Sequence, residues 1–205
     1  MPFPTYAVST ELDAVNQILI SVGQAPVTTL DLQSPEVSIV LNTLREVNKQ
    51  VQAEGWIFNT EREYTMTPDE TTSQIEYPSN MLQIDTNQPY HKNKYDVVKR
   101  GTKLYDRLKH TFTFTDSIKA DVVWYFDFTD VPAAIQTYIT ARAARMCATK
   151  MIGDRELNAL LQEQELQTRA AALEYDCNQG DYSMFGFRDG ENYYNSYQPF
   201  QALMR

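Results

Sequence analysis

The sequence has few of the residues from which enzyme and metal sites are built. It contains two histidines and two cysteines among 205 residues. No glycine-rich phosphate loop, HExxH helix, GxSxG elbow or zinc-type spacing of cysteine and histidine occurs in it. His91 and His110 stand in polar stretches, which favours exposed loop positions over a catalytic base. We therefore expect no catalytic residue, no cofactor-binding residue and no metal ligand.

Long apolar runs are missing as well. No segment approaches the roughly 18 consecutive apolar residues of a membrane helix, so we expect no membrane insertion. The first residues, Met1 to Pro4, include neither a basic region nor an apolar run, so we expect no secretory signal. The sequence therefore predicts a soluble protein that is made in the cytoplasm.

The two cysteines do not suggest a disulfide framework. Cys147 and Cys177 lie in helix-like stretches without metal-type spacing, which favours free thiols in a reducing compartment over a disulfide. Cys147 has alanines on both sides along its helix and is expected to be a small buried hydrophobe.

Acidic residues outnumber basic ones, 27 to 18, for a net charge of -9. This balance argues against a broad DNA-binding surface. One stretch departs from it, because residues 91 to 110 carry a local charge of +5. Its basic residues are Lys92, Lys94, Lys99, Arg100, Lys103, Arg107 and Lys109. Such a stretch either contacts an acidic partner or phosphate, or is a solvated hairpin face.

We favour contact of the basic stretch with another protein or with solvent over contact with nucleic acid. No aromatic platform interleaves with the basic residues in a recognisable module. Lys99, Arg100 and Lys103, which flank a predicted turn, are the candidate partner-binding residues.

Paired carboxylates leave a hydrolase as an alternative, because glycosidases use two acids about 5 to 10 Å apart. Suitable spacings occur at Glu61 and Glu63, Asp127 and Asp130, and Glu163 and Glu165. Acidic pairs also arise by chance in a chain with 27 acids. Residues two apart on a helix, as Glu163 and Glu165 are, point to different faces.

Helical periodicity appears first between Thr10 and Gly55. The first helix is predicted to start at a Thr10 cap and to stop at Gly23. The second opens with Ser34 and Pro35 and runs to Gly55. Their apolar stripes are Leu12, Val15, Leu19 and Val22, and Val37, Val40, Leu41, Leu44, Val47 and Val51. Two such helices should pack as an antiparallel hairpin.

An alternating pattern follows, rich in Tyr, Thr, Val and Ile. Candidate strands are Trp56 to Phe58, Tyr64 to Met66, Gln74 to Tyr77, Met81 to Ile84, Tyr95 to Lys99, Lys103 to Asp106, Phe112 to Phe114 and Ala120 to Phe126. Short strands in one block predict an antiparallel sheet or small sandwich, inserted between helices over residues 55 to 128.

Two further helices are predicted after this block. Asp130 is expected to cap the third, which ends near Gly153, and Asp154 to cap the fourth. The apolar face of the fourth is Leu157, Leu160, Leu161, Leu166, Ala170 and Leu173. The predicted fold class is α+β: a four-helix bundle of residues 1 to 54 and 129 to 177 with the β block projecting from one end.

Residues 178 to 205 form a predicted extended tail without helical period. Its aromatic residues are Tyr182, Phe185, Phe187, Tyr193, Tyr194, Tyr197 and Phe200. Docked, they would bury roughly 1,000 Å² or more. Ordering the segment costs roughly 1 to 2 kcal/mol per residue. This cost is close to the free energy that burying those aromatics on the chain itself would supply. We expect these aromatics to bind a partner or a neighbouring copy, with packing on the chain's own bundle as the alternative.

Six stretches of the sequence form a recognisable series: Glu11 to Leu19, Gly23 to Leu30, Val47 to Gln52, Gly55 to Glu61, Leu161 to Glu165 and Gly180 to Met184. In this order they resemble the tail tubular protein A family, the adaptors of short-tailed bacteriophages. The similarity is strongest in the first sixty residues and weakest in the β block. Gln24 stands where the family is expected to favour an acid, which affects a turn alone.

The resemblance implies a structural virion protein rather than an enzyme. It implies a homododecameric ring between the portal and a sixfold tail nozzle, near the attachment of tail fibres, with the genome passing through without sequence-specific binding. An acidic channel wall would let DNA slide past. Two alternatives stay open: a virion-associated peptidoglycan or polysaccharide hydrolase, and a head-completion plug that binds DNA through Lys99 and Arg100.

Overall fold

A computed structural model describes residues 10–31, 33–86 and 94–180. The helices are α1 Glu11–Ser21, α2 Pro35–Gln52, α3 Ala133–Met151 and α4 Arg155–Gln179. The strands are β1 Thr60–Met66, β2 Met81–Asp85, β3 Val97–Arg100, β4 Lys103–Asp106 and β5 Ile118–Trp124. The chain is therefore α+β, as predicted. It divides into two units. The helical unit extends up to Glu54 and from Phe126 to Tyr175. The β unit extends from Gly55 to Tyr125 and also includes the end of α4 from Asp176.

The predicted start of the first helix is confirmed at atomic detail. The Thr10 hydroxyl oxygen accepts a hydrogen bond from the Asp13 backbone N–H at 3.2 Å, and Asp13 Oδ2 accepts one from the Thr10 backbone N–H at 3.0 Å. The bond from the Thr10 backbone N–H, together with one that the Thr10 hydroxyl donates to Asp13 Oδ2 at 2.7 Å, lowers the pKa of the Asp13 carboxyl. This reciprocal capping box satisfies backbone donors that the helix itself leaves open.

The core of the helical unit is built from α1, α2 and α3, each of which packs against the other two. Fully buried side chains come from all three helices: Val15, Ile18, Val40, Leu44, Ile135, Tyr138 and Ile139. Ala143, Ala144 and Cys147 are also buried, and their small size allows α3 to approach its neighbours closely.

The predicted role of α4 in a four-helix bundle needs correction. Asp154 caps it as expected, accepting a hydrogen bond from the Glu156 backbone N–H at 3.0 Å. In this fully described helix, however, Leu161 and Ala172 are the buried residues. The other leucines predicted for its inner face are exposed or half-buried: Leu157, Leu160, Leu166 and Leu173. Three helices thus form the core, and α4 adds one narrow edge to it.

Two boundaries also differ from the prediction. Asp130 does not cap α3 but ends a short 3₁₀ helix, Phe128–Asp130, and Pro132 directly precedes α3. At the other end, α4 continues to Gln179, so the tail predicted from Asn178 begins later. The rest of that tail lies outside the described residues.

The β unit contains a three-stranded antiparallel sheet in the order β1-β5-β2 and the separate hairpin β3-β4. Its core is Met66, Ile75, Tyr77, Met81, Tyr95, Val97, Leu104, Phe114, Ile118, Ala120 and Val122. The antiparallel prediction is confirmed, with fewer strands than expected. Within Gln74 to Tyr77 and Phe112 to Phe114 the structure has isolated β-bridges alone.

The strand predicted at Trp56 to Phe58 is wrong. A 3₁₀ helix, Ile57–Asn59, occupies that position. Asn59 explains the difference, because its Oδ1 accepts a hydrogen bond from the Trp56 backbone N–H at 2.9 Å and its Nδ2 donates to the Trp124 carbonyl at 2.9 Å. A buried side chain thus takes the backbone partners that a ladder would have supplied.

Candidate partner interface

The hairpin β3-β4 brings the three predicted basic residues together. Lys99 pairs with Leu104 and Arg100 pairs with Lys103 across the ladder. The connecting loop has two residues, Gly101 and Thr102, and Gly101 has a φ of 65°. Glycine at the first loop position with positive φ is the pattern of a type II′ turn, whose twist matches that of the strands. Arg100 and Lys103 therefore lie on one face of the hairpin beside the turn, and Lys99, opposite Leu104, lies on the other face.

Two of these cations lie over buried tyrosine rings. Lys99 Nζ is 4.2 Å from the ring centroid of Tyr77, and Arg100 Cζ is 3.7 Å from that of Tyr105. The two tyrosines are 7% and 9% exposed, and burial raises the pKa of the Tyr77 hydroxyl. A cation over an aromatic face is attracted by the ring quadrupole, by about 0.5–1 kcal/mol at an exposed site. The basic side chains are therefore held in place before any partner arrives.

A third cation lies over a tyrosine ring in the turn after β4. Lys109 Nζ lies 4.4 Å from the ring centroid of Tyr95. The turn is fixed by Asp106, which is fully buried and whose Oδ1 accepts hydrogen bonds from the Leu108 backbone N–H at 2.9 Å and the Asp96 backbone N–H at 3.2 Å. Asp106 thus fixes the backbone at Asp96 and Leu108, which both lie in the basic stretch.

Ion pairs neutralise part of the basic stretch but not its centre. Lys94 pairs with Asp116 at 2.6 Å, which raises the pKa of Lys94 and lowers that of Asp116. Arg107 pairs with Asp96 at 2.6 Å. Within the described residues, no carboxylate pairs with the remaining cations, and Lys103 donates to the Gln74 side chain instead. Those unneutralised cations are Lys99, Arg100, Lys103 and Lys109.

Apolar surface adjoins these charges. Leu108 is 54% exposed and Phe112 37% exposed, and the Phe112 ring packs edge-on against Tyr105 with 4.9 Å between centroids. We define the basic hairpin surface as the end of this hairpin and the residues that follow it: Arg100 and Lys103 on one face, Lys99 on the other, with Leu108, Lys109 and Phe112. It combines fixed positive charge with exposed aromatic and aliphatic groups, the mixture that protein interfaces use.

Sequence reasoning found the cations of this surface but missed the tyrosines beneath them. Tyr77 and Lys99 are distant in sequence, so spacing alone carries no signal that they meet. The local signal was Tyr105 on the facing strand of the same predicted hairpin. Because the rings are buried with cations over them, they do not form an open stacking platform for bases.

The other predicted interface residues are the tail aromatics, and they lie outside the described residues. Tyr182, Phe185, Phe187, Tyr193, Tyr194, Tyr197 and Phe200 therefore remain a prediction. His91 also lies outside, while His110 is exposed with a φ of 55°.

The other groups that the sequence singled out lie in different surroundings. Cys147 is fully buried, which raises the pKa of its thiol, and Cys177 is a free exposed thiol. Glu165 is paired with Arg145, and Glu63 with Lys119 at 3.3 Å. Across residues 10–31, 33–86 and 94–180, no group of three His, Cys, Asp or Glu side chains could hold a metal ion. No helix there is long and apolar enough to cross a membrane.

Comparison with known proteins gives one consistent result. A family model described as tail tubular protein matches residues 12–182. The chain is also similar to tail tubular protein A of Klebsiella phage KP34, with 27% identity over 172 residues, which is 82% of this chain and 88% of the relative. The residues matched by the family model include α1 from Leu12 onward, the other three helices and all five strands described above.

Proposed function

The chain belongs to the tail tubular protein family, and on that premise we propose that it forms the adaptor ring between the portal and the tail nozzle of a short-tailed phage. The family makes it a structural component of the phage tail. The match over residues 12–182 is the observation that carries the proposal, because it covers both structural units.

The ring is proposed to be a homododecamer, with the portal on one side and the nozzle and tail fibres on the other. The genome would pass through its channel without sequence-specific binding. The net charge of -9 supports this, since an acidic wall does not retain DNA. The protein would assemble in the host cytoplasm and remain in the virion tail.

The basic hairpin surface supports a role in protein contact. Lys99, Arg100 and Lys109 are held over buried tyrosines, so these side chains lose little entropy when an acidic partner binds. Its exposed Leu108 and Phe112 add apolar contact area. We propose that this surface and the aromatic residues of the tail both contact other proteins of the tail.

The location in the virion tests this function. Antibodies against the chain, applied to purified virions and imaged by electron microscopy, should label the junction between head and tail. Labelling of the capsid surface or of the fibre tips would refute the adaptor position.

A hydrolase assay on the same preparation tests the enzyme alternative. Purified protein should not clear a peptidoglycan or polysaccharide gel. Clearing that disappears in Glu163→Gln or Glu61→Gln would establish the alternative instead.

A further inference from the structure

The outer face of α4 carries an apolar stripe that nothing in the described chain covers. Its exposed positions recur at intervals of four and three residues and are apolar except for Glu163 at its acidic edge: Ala159, Glu163, Leu166, Ala170 and Leu173. Intervals that average 3.5 residues place side chains in a nearly straight line along a helix. We call this line the α4 stripe. Leu166 and Leu173 are 61% and 45% exposed.

The α4 stripe is separate from the face that α4 packs inward. The buried residues Leu161 and Ala172 lie on one side of the helix. At about 100° per residue, Leu166 and Leu173 are roughly 100° or more around the helix from both. An apolar line on the outer side of a 25-residue helix is unexplained by the fold and is typical of a protein contact.

Negative charge runs beside the stripe. Glu156, Glu163 and Glu174 lie within about 20° of one another around the helix. All three are exposed, and none has an ion-pair partner among the residues described. The stripe therefore pairs apolar groups with acids, whereas the basic hairpin surface pairs apolar groups with cations.

We propose that the α4 stripe of one copy binds the basic hairpin surface of a second copy. The two surfaces complement each other in charge and both contain exposed apolar side chains. Because they are different surfaces, the contact is head-to-tail, and a head-to-tail contact closes into a ring when its rotation permits. The inference rests on the proposed ring and identifies the surfaces that join its subunits.

Charge decides against two other occupants of the stripe. A second α4 stripe would bring its own row of glutamates against the first, and like charges disfavour that pairing. Residues 181 to 205 of the chain contain three acidic and two basic residues, so they supply no excess positive charge to match the row. The basic hairpin surface has four cations without a carboxylate partner in the described part of the chain.

Leucine substitutions test the apolar part of the contact. Leu166→Glu and Leu173→Glu place a charge on the stripe without disturbing the core, so circular dichroism should be unchanged. Leu160→Glu is the matched control, because Leu160 is 66% exposed on the same helix but about 120° away from Leu166. By analytical ultracentrifugation, each stripe variant should need at least about tenfold more protein to assemble than wild type, and the control should match wild type.

Charge reversal tests the pairing of the two surfaces. Glu163→Lys and Arg100→Glu should each weaken assembly, and the double variant should recover it. Lys49→Glu, an equal charge change at an exposed position of α2, should have no effect. Recovery in the double variant would be specific to direct contact between the two positions.

The exposed thiol at the end of α4 gives an independent readout. Cys177 follows Leu173 by one further interval of four residues and is exposed. Its reaction with a thiol reagent should be several-fold slower in the assembled protein than in the dissociated subunit.

The outcomes separate this inference from the function on which it rests. If wild-type protein forms rings and the leucine variants form them equally well, the stripe is not the contact. If Glu163→Lys strengthens assembly, the stripes pair with each other and the inference is wrong. If removing residues 181 to 205 abolishes assembly while Leu166→Glu does not, the tail provides the contact. If wild-type protein forms no ring alone or with portal, the proposed function itself fails.

Discussion

At the scale of single residues, the two cysteines differ in their access to solvent. Cys147 lies in α3 and is fully buried, and burial raises the pKa of its thiol. Cys177 is exposed on α4. Because the thiolate is the reactive form, both access and pKa protect Cys147.

We therefore expect the dissociated native subunit to react with a thiol reagent at one cysteine quickly and at the other slowly. Replacing Cys177 by serine should remove the fast phase. Full denaturation should make the two thiols react alike. A fast phase that survives Cys177→Ser would contradict the buried position of Cys147.

The capping box of α1 gives a second prediction for single residues. Thr10→Ala removes an acceptor from the first turn, and the loss of such a cap costs about 1 kcal/mol of unfolding free energy. Urea denaturation at pH 7 measures it. Ser38→Ala, at a half-buried position inside α2, is the control and should change stability less.

The same cap makes a small part of the stability depend on pH. The folded-state pKa of Asp13 is lowered, so its contribution is present above the unfolded-state pKa of about 3.9 and is lost as pH falls through the folded value. Asp13→Asn should thus be less stable than wild type at pH 7, and the difference should shrink in acid. A difference that grows in acid would contradict the hydrogen bonds described here.

At the scale of elements, one glutamine joins the exit of α2 to the chain where it returns to the helical unit. Gln52 is fully buried, and its Nε2 donates to the Phe126 carbonyl while its Oε1 accepts from the Phe126 backbone N–H, both at 2.8 Å. The two bonds mimic one rung of a β-ladder. They satisfy a backbone segment that leaves β5 and has not yet entered a helix.

Gln52→Leu should lower the unfolding free energy by about 2–4 kcal/mol, because it strips both partners from a buried backbone segment. Gln17→Leu on the exposed face of α1 should change it by less than about 0.5 kcal/mol. Thermal and urea unfolding of the two variants provide the comparison. Equal effects would show that the Gln52 bonds are not structurally important.

The elements also show how far sequence patterns reach. The buried faces of α1 and α2 followed from helical spacing, and the β3-β4 hairpin from its glycine turn. The exposed Leu166 and Leu173 were misassigned because periodicity identifies an apolar stripe without saying what covers it. The contacts of the cations with Tyr77 and Tyr95 were missed, because they join residues that are far apart in sequence or separated by a turn. The structure of the tail aromatics lies outside the described residues.

At the scale of the whole molecule, the proposed ring uses surfaces outside the two cores. The basic hairpin surface, the α4 stripe and the aromatic tail belong to different parts of the chain. A subunit in a ring needs at least two different contact surfaces, and an adaptor needs further ones for its partners. The net negative charge then lies on the rest of the surface, which in the proposed ring includes the channel wall.

Deleting residues 182 to 205 should weaken binding to the portal or between subunits without unfolding the described helices. The seven aromatics of that segment are the physical reason, since aromatic anchors dominate interface energetics. Circular dichroism checks folding, and co-sedimentation with portal checks binding. A truncated chain that assembles normally would rule out this use of the tail.

The most direct test of the account is a mass measurement of the purified protein, alone and mixed with portal. The account predicts a ring of identical subunits, a dodecamer, that binds portal as one discrete complex. A protein that stays monomeric in both samples, or that binds portal as scattered single copies, would contradict the proposal that it is the adaptor ring.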